Sequence, residues 1–439
     1  MEWNKLLSTK RLGRDGPADN ATPPRTEFTR DYDRIIFAPA FRRLQDKTQV
    51  FPLAKSDYAR TRLTHSLEVA SVGRSLGVLA AEATLQKQSG LEGIVVPADV
   101  GTIVATACLA HDIGNPPFGH AGESAIQEWF EVSGGVNDIN GAEREDLLKF
   151  EGNAQGFRTL CTLQQAPQRG GLQLTSAVLG AFTKYPRASL VDEAQRAGIS
   201  GKKFGFMQSE ATLFQELADE LGLIRKTGSG AAWHRHPLAF LVEAADDICY
   251  HVMDVEDGYK TGNLTYDEIE NLHKPWIPAE RLERGHRIAD RGRRVEYFRA
   301  VTIDVMVRDA VQAFSDNYIG LMDGSFDREL TANLFNVAIT RARGLLHVVG
   351  DRAAAAASGV DYLADFAGYV AGLDGATSGQ LDPPNAASLG ADYPRVARPE
   401  RVSDWERLLY RALYAAGVRP IPQYSVEQYD LDFAVVVGD

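Results

Sequence analysis

The stretch "PADVGTIVATACLAHDIG", residues 97–114, is almost wholly apolar up to Ala110, then turns polar at His111 and Asp112 and stops at Gly114 before the Pro116-Pro117 pair. Proline can open a helix but not continue one, and a glycine-proline break ends it, so the run predicts a buried helix whose C-terminal end carries a histidine and an aspartate. Helical periodicity extends on both sides. "RTRLTHSLEVASVGRSLGVLAAEATL" spaces Leu63, Leu67, Ala70, Leu76 and Leu79 in threes and fours, predicting a helix that buries that face. "HPLAFLVEAADDICYHVMDVEDGY" predicts a third helix, with Pro237 near its start and Gly258 at its close, and "RGRRVEYFRAVTIDVMVRDAVQAFSDNYIGLM" a fourth. The turn-rich residues 132–142 read as a loop. Strand-like runs are few before residue 330, so the expected fold is mainly α, a helical body with a small α/β C-terminal appendage.

Composition narrows the function classes. With 439 residues, 44% of them hydrophobic, the chain is long enough for a large core. A net charge of −12 argues against general polyanion binding, so an anionic ligand must be met by a local cluster of cations. Cys108, Cys161 and Cys249 stand far apart in apolar surroundings, which predicts free thiols in a reducing cytoplasm. The polar N-terminus does not read as a signal peptide, and no apolar run of bilayer-spanning length is present; no membrane partner is expected.

Imidazole and carboxylate groups on separate helices are what a hard or borderline divalent ion needs. His65, His111, Asp112 and Asp246 form such a candidate set for one ion, Mn²⁺, Mg²⁺, Fe²⁺ or Ni²⁺, with positions left open for water or phosphate. His111 and Asp112 diverge by about 100° on a helix, so they share an ion only at a helix end. Taken alone, a His-Asp pair is more often a core histidine beside a capping aspartate. Asp246, Tyr250 and Asp254 recur at i, i+4 and i+8, which lines them along one face over about 12 Å. His120 and Glu123, at i and i+3, read as an acid–base couple in which the carboxylate fixes the imidazole tautomer.

"RTRLTHSLEV", "HDIGNPPFGHAGE", "FEGNAQGFR", "KYPR", "KFGFMQSE" and "RHPLAFLVEAADDICYHVMDVEDG" follow in the order and spacing of the bacterial deoxyguanosine triphosphate triphosphohydrolases of the HD superfamily. The resemblance covers roughly residues 25–330. It implies an all-α fold, one divalent metal and hydrolysis of a deoxynucleoside triphosphate (dNTP), dGTP foremost, to deoxynucleoside and tripolyphosphate. It also implies His65, His111, Asp112 and Asp246 as the ligands, with Asp246 and not Asp247 the acid of "DDICYHVMD". By the same resemblance His120 and Glu123 stand beside the attacking water, and Arg62, Asn115, Lys184, Tyr185 and Lys203 face the phosphates. The resemblance further implies that Tyr250 packs on the deoxyribose, that Asp254 and Gln49 take the 3′-hydroxyl, that Arg42 lies near sugar and base, and that Asn153 is a supporting polar residue. Relatives are often hexamers, and single-stranded DNA or a second dNTP is an open effector. His234, His236, His251, His273, His286 and His347 have no ligand spacing and read as structural or surface residues.

Three segments are expected: residues 1–330 as the hydrolase domain, 331–400 as a connector, and 401–439 as an α/β fragment. "NLFNVAITRARGLLHVVGD" resembles the last motif of superfamily 1 helicases, with Arg341 as its arginine, but no phosphate-cradling loop accompanies it. The segment after residue 401, with Glu406, Asp430 and Asp432, resembles the opening of a PD-(D/E)xK nuclease fold, and reads as a helix followed by two strands. Two other function classes remain open at this level: a dNTP-sensing or DNA-binding defence protein with little turnover, and an HD phosphodiesterase or 5′-nucleotidase.

Overall fold

The computed structural model describes residues 1–14, 25–47, 60–87, 91, 93, 95–260, 262, 264–331 and the backbone of 420–426 and 429–435. The chain divides into two compact units, Met1–Asn336 and Val337–Asp439. The elements that build the first are helical: α1 (Glu27–Phe37), α2 (Arg62–Ala83), α3 (Pro97–Ala110), α4 (Gly119–Ser133), α5 (Gly152–Arg158), α6 (Ser176–Phe182), α7 (Ala211–Leu221), α8 (Pro237–Lys260), α9 (Tyr266–His273) and α10 (Arg291–Asp316). Among the described residues no helix is long and apolar enough to cross a membrane.

The buried helix is α3. Every residue from Ile103 to Ala110 is buried, as befits a helix apolar on all sides and surrounded by others. α1, α2, α6 and α8 pack around it. The α2–α3 crossing is close because a Cβ added at Gly77 would meet Gly101 Cα at 2.8 Å, leaving no room for a side chain. That crossing corrects the expected face of α2. Ala70 and Leu76 are buried, but Leu67 is 45% exposed, and Leu63 and Leu79 are only partly covered. The buried row is His65, Val69, Val72, Leu76 and Ala80, joined by Gly73, Gly77 and Ala81. Small residues let the two helix backbones approach, so the larger leucines are displaced to the flanks.

α8 runs the expected length and is buried along most of its course. The fourth predicted helix is α10, which ends at Asp316; a separate short helix, Tyr318–Asp323, carries the "YIGLM" segment. α9 and α10 enclose a smaller core of Tyr266, Ile269, Ile277, Val295, Phe298 and Val301. The turn expected at 132–142 occupies the stretch between Ser133 and Gly141. All three cysteines are buried and free.

In the second unit the described backbone is one antiparallel hairpin, β1 (Pro420–Val426) and β2 (Tyr429–Val435), paired from Pro420↔Val435 to Val426↔Tyr429. Asp430 and Asp432 fall on β2. Arg341 and Glu406 lie outside the described residues, as does the helix read before the two strands.

Candidate active site

α2 begins with a reciprocal cap. Thr64 N–H donates to Thr61 Oγ1 at 3.4 Å and Thr61 N–H to Thr64 Oγ1 at 3.0 Å, satisfying two donors that the helix start would otherwise leave open. Starting there, the helix presents Arg62 and His65, three residues apart, on one face. α3 delivers His111 at its C-cap and Asp112 in the turn that follows. That turn is pressed against α5, and a Cβ at Gly114 would lie 2.1 Å from Gly152 O and from Gly156 N. α8 supplies Ala239, Val242, Glu243, Asp246 and Tyr250, a helical stripe along one wall.

These elements enclose a cavity of about 700 Å³. At its floor His65 Nε2 lies 2.9 Å from Asp246 Oδ1, and His111 Nε2 lies 3.4 Å from the same oxygen. His111 Nδ1–H donates to Cys108 O at 2.6 Å, which leaves Nε2 as the ring atom that faces Asp246. One donor atom from each of His65, His111 and Asp246 lies within 4.8 Å of the others, an arrangement that fits a divalent ion. Burial opposes charge here. Against it, Asp112 and Asp246 raise His111 to about 9, while His111 and His65 hold Asp246 well below the usual carboxylate range. Two imidazoles and a carboxylate gathered in this way are a donor set that suits a divalent cation. The fourth expected ligand, Asp112, is engaged elsewhere. Its Oδ2 accepts from Arg62 at 2.7 Å and its Oδ1 from Asn115, with Oδ1 3.6 Å from His111 Nε2.

His120 and Glu123 stand at the first turns of α4. His120 Nδ1–H donates to Glu123 Oε2 at 2.8 Å, and Glu123 Oε1 accepts the Gly152 N–H at 2.8 Å. Lys203 lies 3.6 Å from Glu123 and 3.1 Å from Glu151. Burial would push the Glu123 carboxyl up, but the His120 hydrogen bond, Lys203 and the Gly152 amide bring it below its ordinary value. Arg62, Asn115, Asn153, Lys184, Tyr185, Lys203 and Tyr250 all line the same cavity. Asn153 Nδ2 donates to Glu151 Oε1 at 2.8 Å.

Two expected residues, Arg42 and Asp254, are not among the described lining. Arg42 is exposed on the short helix Pro39–Arg42, and Gln49 lies outside the described residues. Asp254 continues the α8 row two turns beyond Asp246 without lining the cavity; burial, only partly offset by His65 and Arg60, pushes it up to about 6. Asp247 points away from the ligand cluster and accepts a hydrogen bond from the fully buried Thr331 at 2.8 Å. His236, His273 and His286 bond Leu6 O, Thr302 and Glu270 respectively, and His347 is outside the described residues. Two groups escaped the sequence reading. Glu243 shares the face of Asp246 one turn earlier, a spacing visible in the sequence, and lines the cavity. Phe118, 59% exposed at the cavity edge, has a left-handed backbone with φ of 65°, for which its residue type holds no signal.

The HD domain model matches residues 62–148, the stretch that carries His65, His111, Asp112, His120 and Glu123. A deoxyguanosinetriphosphate triphosphohydrolase-like protein of Synechocystis is 45% identical over 350 residues, covering 75% of this chain and 76% of that protein. A protein of Pseudomonas aeruginosa with the same description is 42% identical, covering 79% and 78%. The deoxyguanosinetriphosphate triphosphohydrolase of Klebsiella pneumoniae is 34% identical, covering 70% of each. With a helical body, this ligand cluster and identity of that extent, the chain belongs to the deoxyguanosinetriphosphate triphosphohydrolase family of HD-domain proteins.

Proposed function

We propose that the protein hydrolyses a dNTP, dGTP foremost, to the deoxynucleoside and inorganic tripolyphosphate. The observation that carries this reading is the exposed His120, hydrogen-bonded to a buried Glu123, on the same cavity as the His65–His111–Asp246 cluster. His65, His111 and Asp246 would hold one divalent ion, with Asp112 beside them as the fourth expected ligand. Such an ion would supply Lewis-acid polarisation of a phosphoryl oxygen.

The chain's own groups do the rest. His120 accepts a proton from the attacking water at Nε2 while its Nδ1–H stays hydrogen-bonded to Glu123, which stabilises the imidazolium so formed, and that proton is then given up as the departing 5′-oxygen is protonated. The water oxygen bonds to the α-phosphorus as the bond from that phosphorus to the 5′-oxygen breaks. Atoms therefore balance as dNTP plus water giving deoxynucleoside plus tripolyphosphate. Arg62, Lys184 and Lys203 offset the triphosphate charge, with Asn115 and Tyr185 beside them. Tyr250, half-exposed on the cavity wall, stacks on the deoxyribose, and Asp254 with Gln49 and Arg42 completes the sugar end.

The test is chromatography of the products from each of the four dNTPs with Mn²⁺ or Mg²⁺. Deoxynucleoside and tripolyphosphate are expected, with dGTP turned over fastest. Deoxynucleoside monophosphate and pyrophosphate in their place would overturn the reading.

A further inference from the structure

Lys184 is held from two sides by groups that are themselves buried. Its backbone carbonyl accepts from Arg235 Nε at 2.7 Å, and its ammonium lies 3.2 Å from Glu243 Oε1. Arg235 Nη1 in turn donates to Glu243 Oε2 at 2.6 Å, so Lys184, Arg235 and Glu243 close a ring of contacts. The side chains of Glu243 and Arg235 are 2% and 1% exposed, whereas that of Lys184 is 30% exposed and reaches the cavity.

Two features set this apart from an ordinary buried ion pair. The trio carries one net positive charge, because Arg235 already offsets Glu243, so the Lys184 charge is not cancelled at the cavity wall. Glu243 Oε1 lies 3.2 Å from the Lys184 ammonium, which carries three hydrogens and so keeps others for an acceptor in the cavity. Glu243 lies one turn before Asp246 on α8, so the same helix that offers the metal-cluster carboxylate also fixes the lysine's distance from it. Burial opposes the ammonium charge, and Glu243 more than restores it.

We infer that Glu243 is a positioning residue for substrate phosphate: backed by Arg235, it holds the Lys184 ammonium at the cavity wall with its protons directed to the triphosphate. This rests on the reading of Lys184 as a phosphate contact. A lysine held in place forfeits less conformational freedom on binding than one recruited from solvent, and its contact with phosphate persists from ground state to transition state. Loss of Glu243 therefore weakens binding and leaves the chemical step alone.

The experiment is a double-mutant cycle on the full chain, with Glu243→Gln, Lys184→Ala and both together. The readouts are KM and kcat for the preferred dNTP and the Kd of inorganic tripolyphosphate by calorimetry. Glu243→Gln is expected to raise KM and Kd by roughly ten- to a hundredfold, the worth of one charge-assisted hydrogen bond, with kcat almost unchanged. In the Lys184→Ala background it is expected to raise neither. Glu243→Asp retains a counter-charge for Arg235 and takes the place of the Gln variant in the cycle if that one does not fold. Equal increases in both backgrounds, or a lowered folded fraction with KM unchanged, would overturn the positioning role while leaving Lys184 as a phosphate contact. No change on Lys184→Ala alone would remove that contact, and the inference with it.

Discussion

His120 donates from Nδ1 to Glu123 Oε2 at 2.8 Å across one turn of α4, and the histidine side chain is 84% exposed while the glutamate is 7% exposed. The carboxylate is anchored and the ring is presented to the cavity, the arrangement a general base needs. His120→Ala is expected to lower kcat by roughly 10²- to 10⁴-fold with bound metal unchanged. Stopped-time product assays and metal analysis of the same preparation check both halves. Loss of metal in this variant would make His120 a ligand instead.

The cluster at the cavity floor makes a second expectation. His111→Ala or Asp112→Ala should forfeit metal-dependent hydrolysis by on the order of 10³-fold or more, with the helical fold retained by circular dichroism. Asp112 is the more telling of the two, because its contacts run to Arg62 and Asn115. Turnover near that of the wild type in Asp112→Ala would confine metal binding to His65, His111 and Asp246.

In the proposed reading sugar selection rests on Tyr250, which lines the cavity from the α8 face of Asp246. A 2′-hydroxyl must displace the phenol or be buried without a partner, which costs about 1–3 kcal/mol. GTP should accordingly show a lower kcat/KM than dGTP, and Tyr250→Ala should narrow the gap. Equal values for GTP and dGTP in the wild type would refute the sugar contact.

The smaller core offers a stability test away from the site. His273 Nδ1 pairs with Thr302 Oγ1 at 2.8 Å, and burial, helped by Arg299, pushes the ring down to about 4. An unfolded chain binds this proton near pH 6.5 and the folded chain only near 4, so the His273 contribution is intact above 6.5 and is lost as pH falls through that window. Between pH 7 and 4.5 the wild type should lose about 2 kcal/mol more than His273→Gln, read from denaturant midpoints. Parallel losses in the two proteins would show that the ring is not buried neutral.

The sequence by itself determined that a helix apolar on every side ends in His111 and Asp112, that α8 carries Asp246 and Tyr250 on one stripe, and that His120 and Glu123 lie a turn apart. Those are consequences of helical period and of where proline and glycine end a helix, and both are local. The buried side of α2 was not legible in the same way, because its leucine spacing pointed to one face while the close approach at Gly77 and Gly101 buried another. Only the tertiary structure decided which charges meet. It turned Asp112 toward Arg62, bonded Asp247 to Thr331, and set Glu243 between Lys184 and Arg235. Each of these pairs joins residues 8 to 84 positions apart in the chain. No periodicity can encode such pairs; they arise from packing around α3 and the need of buried charges for partners.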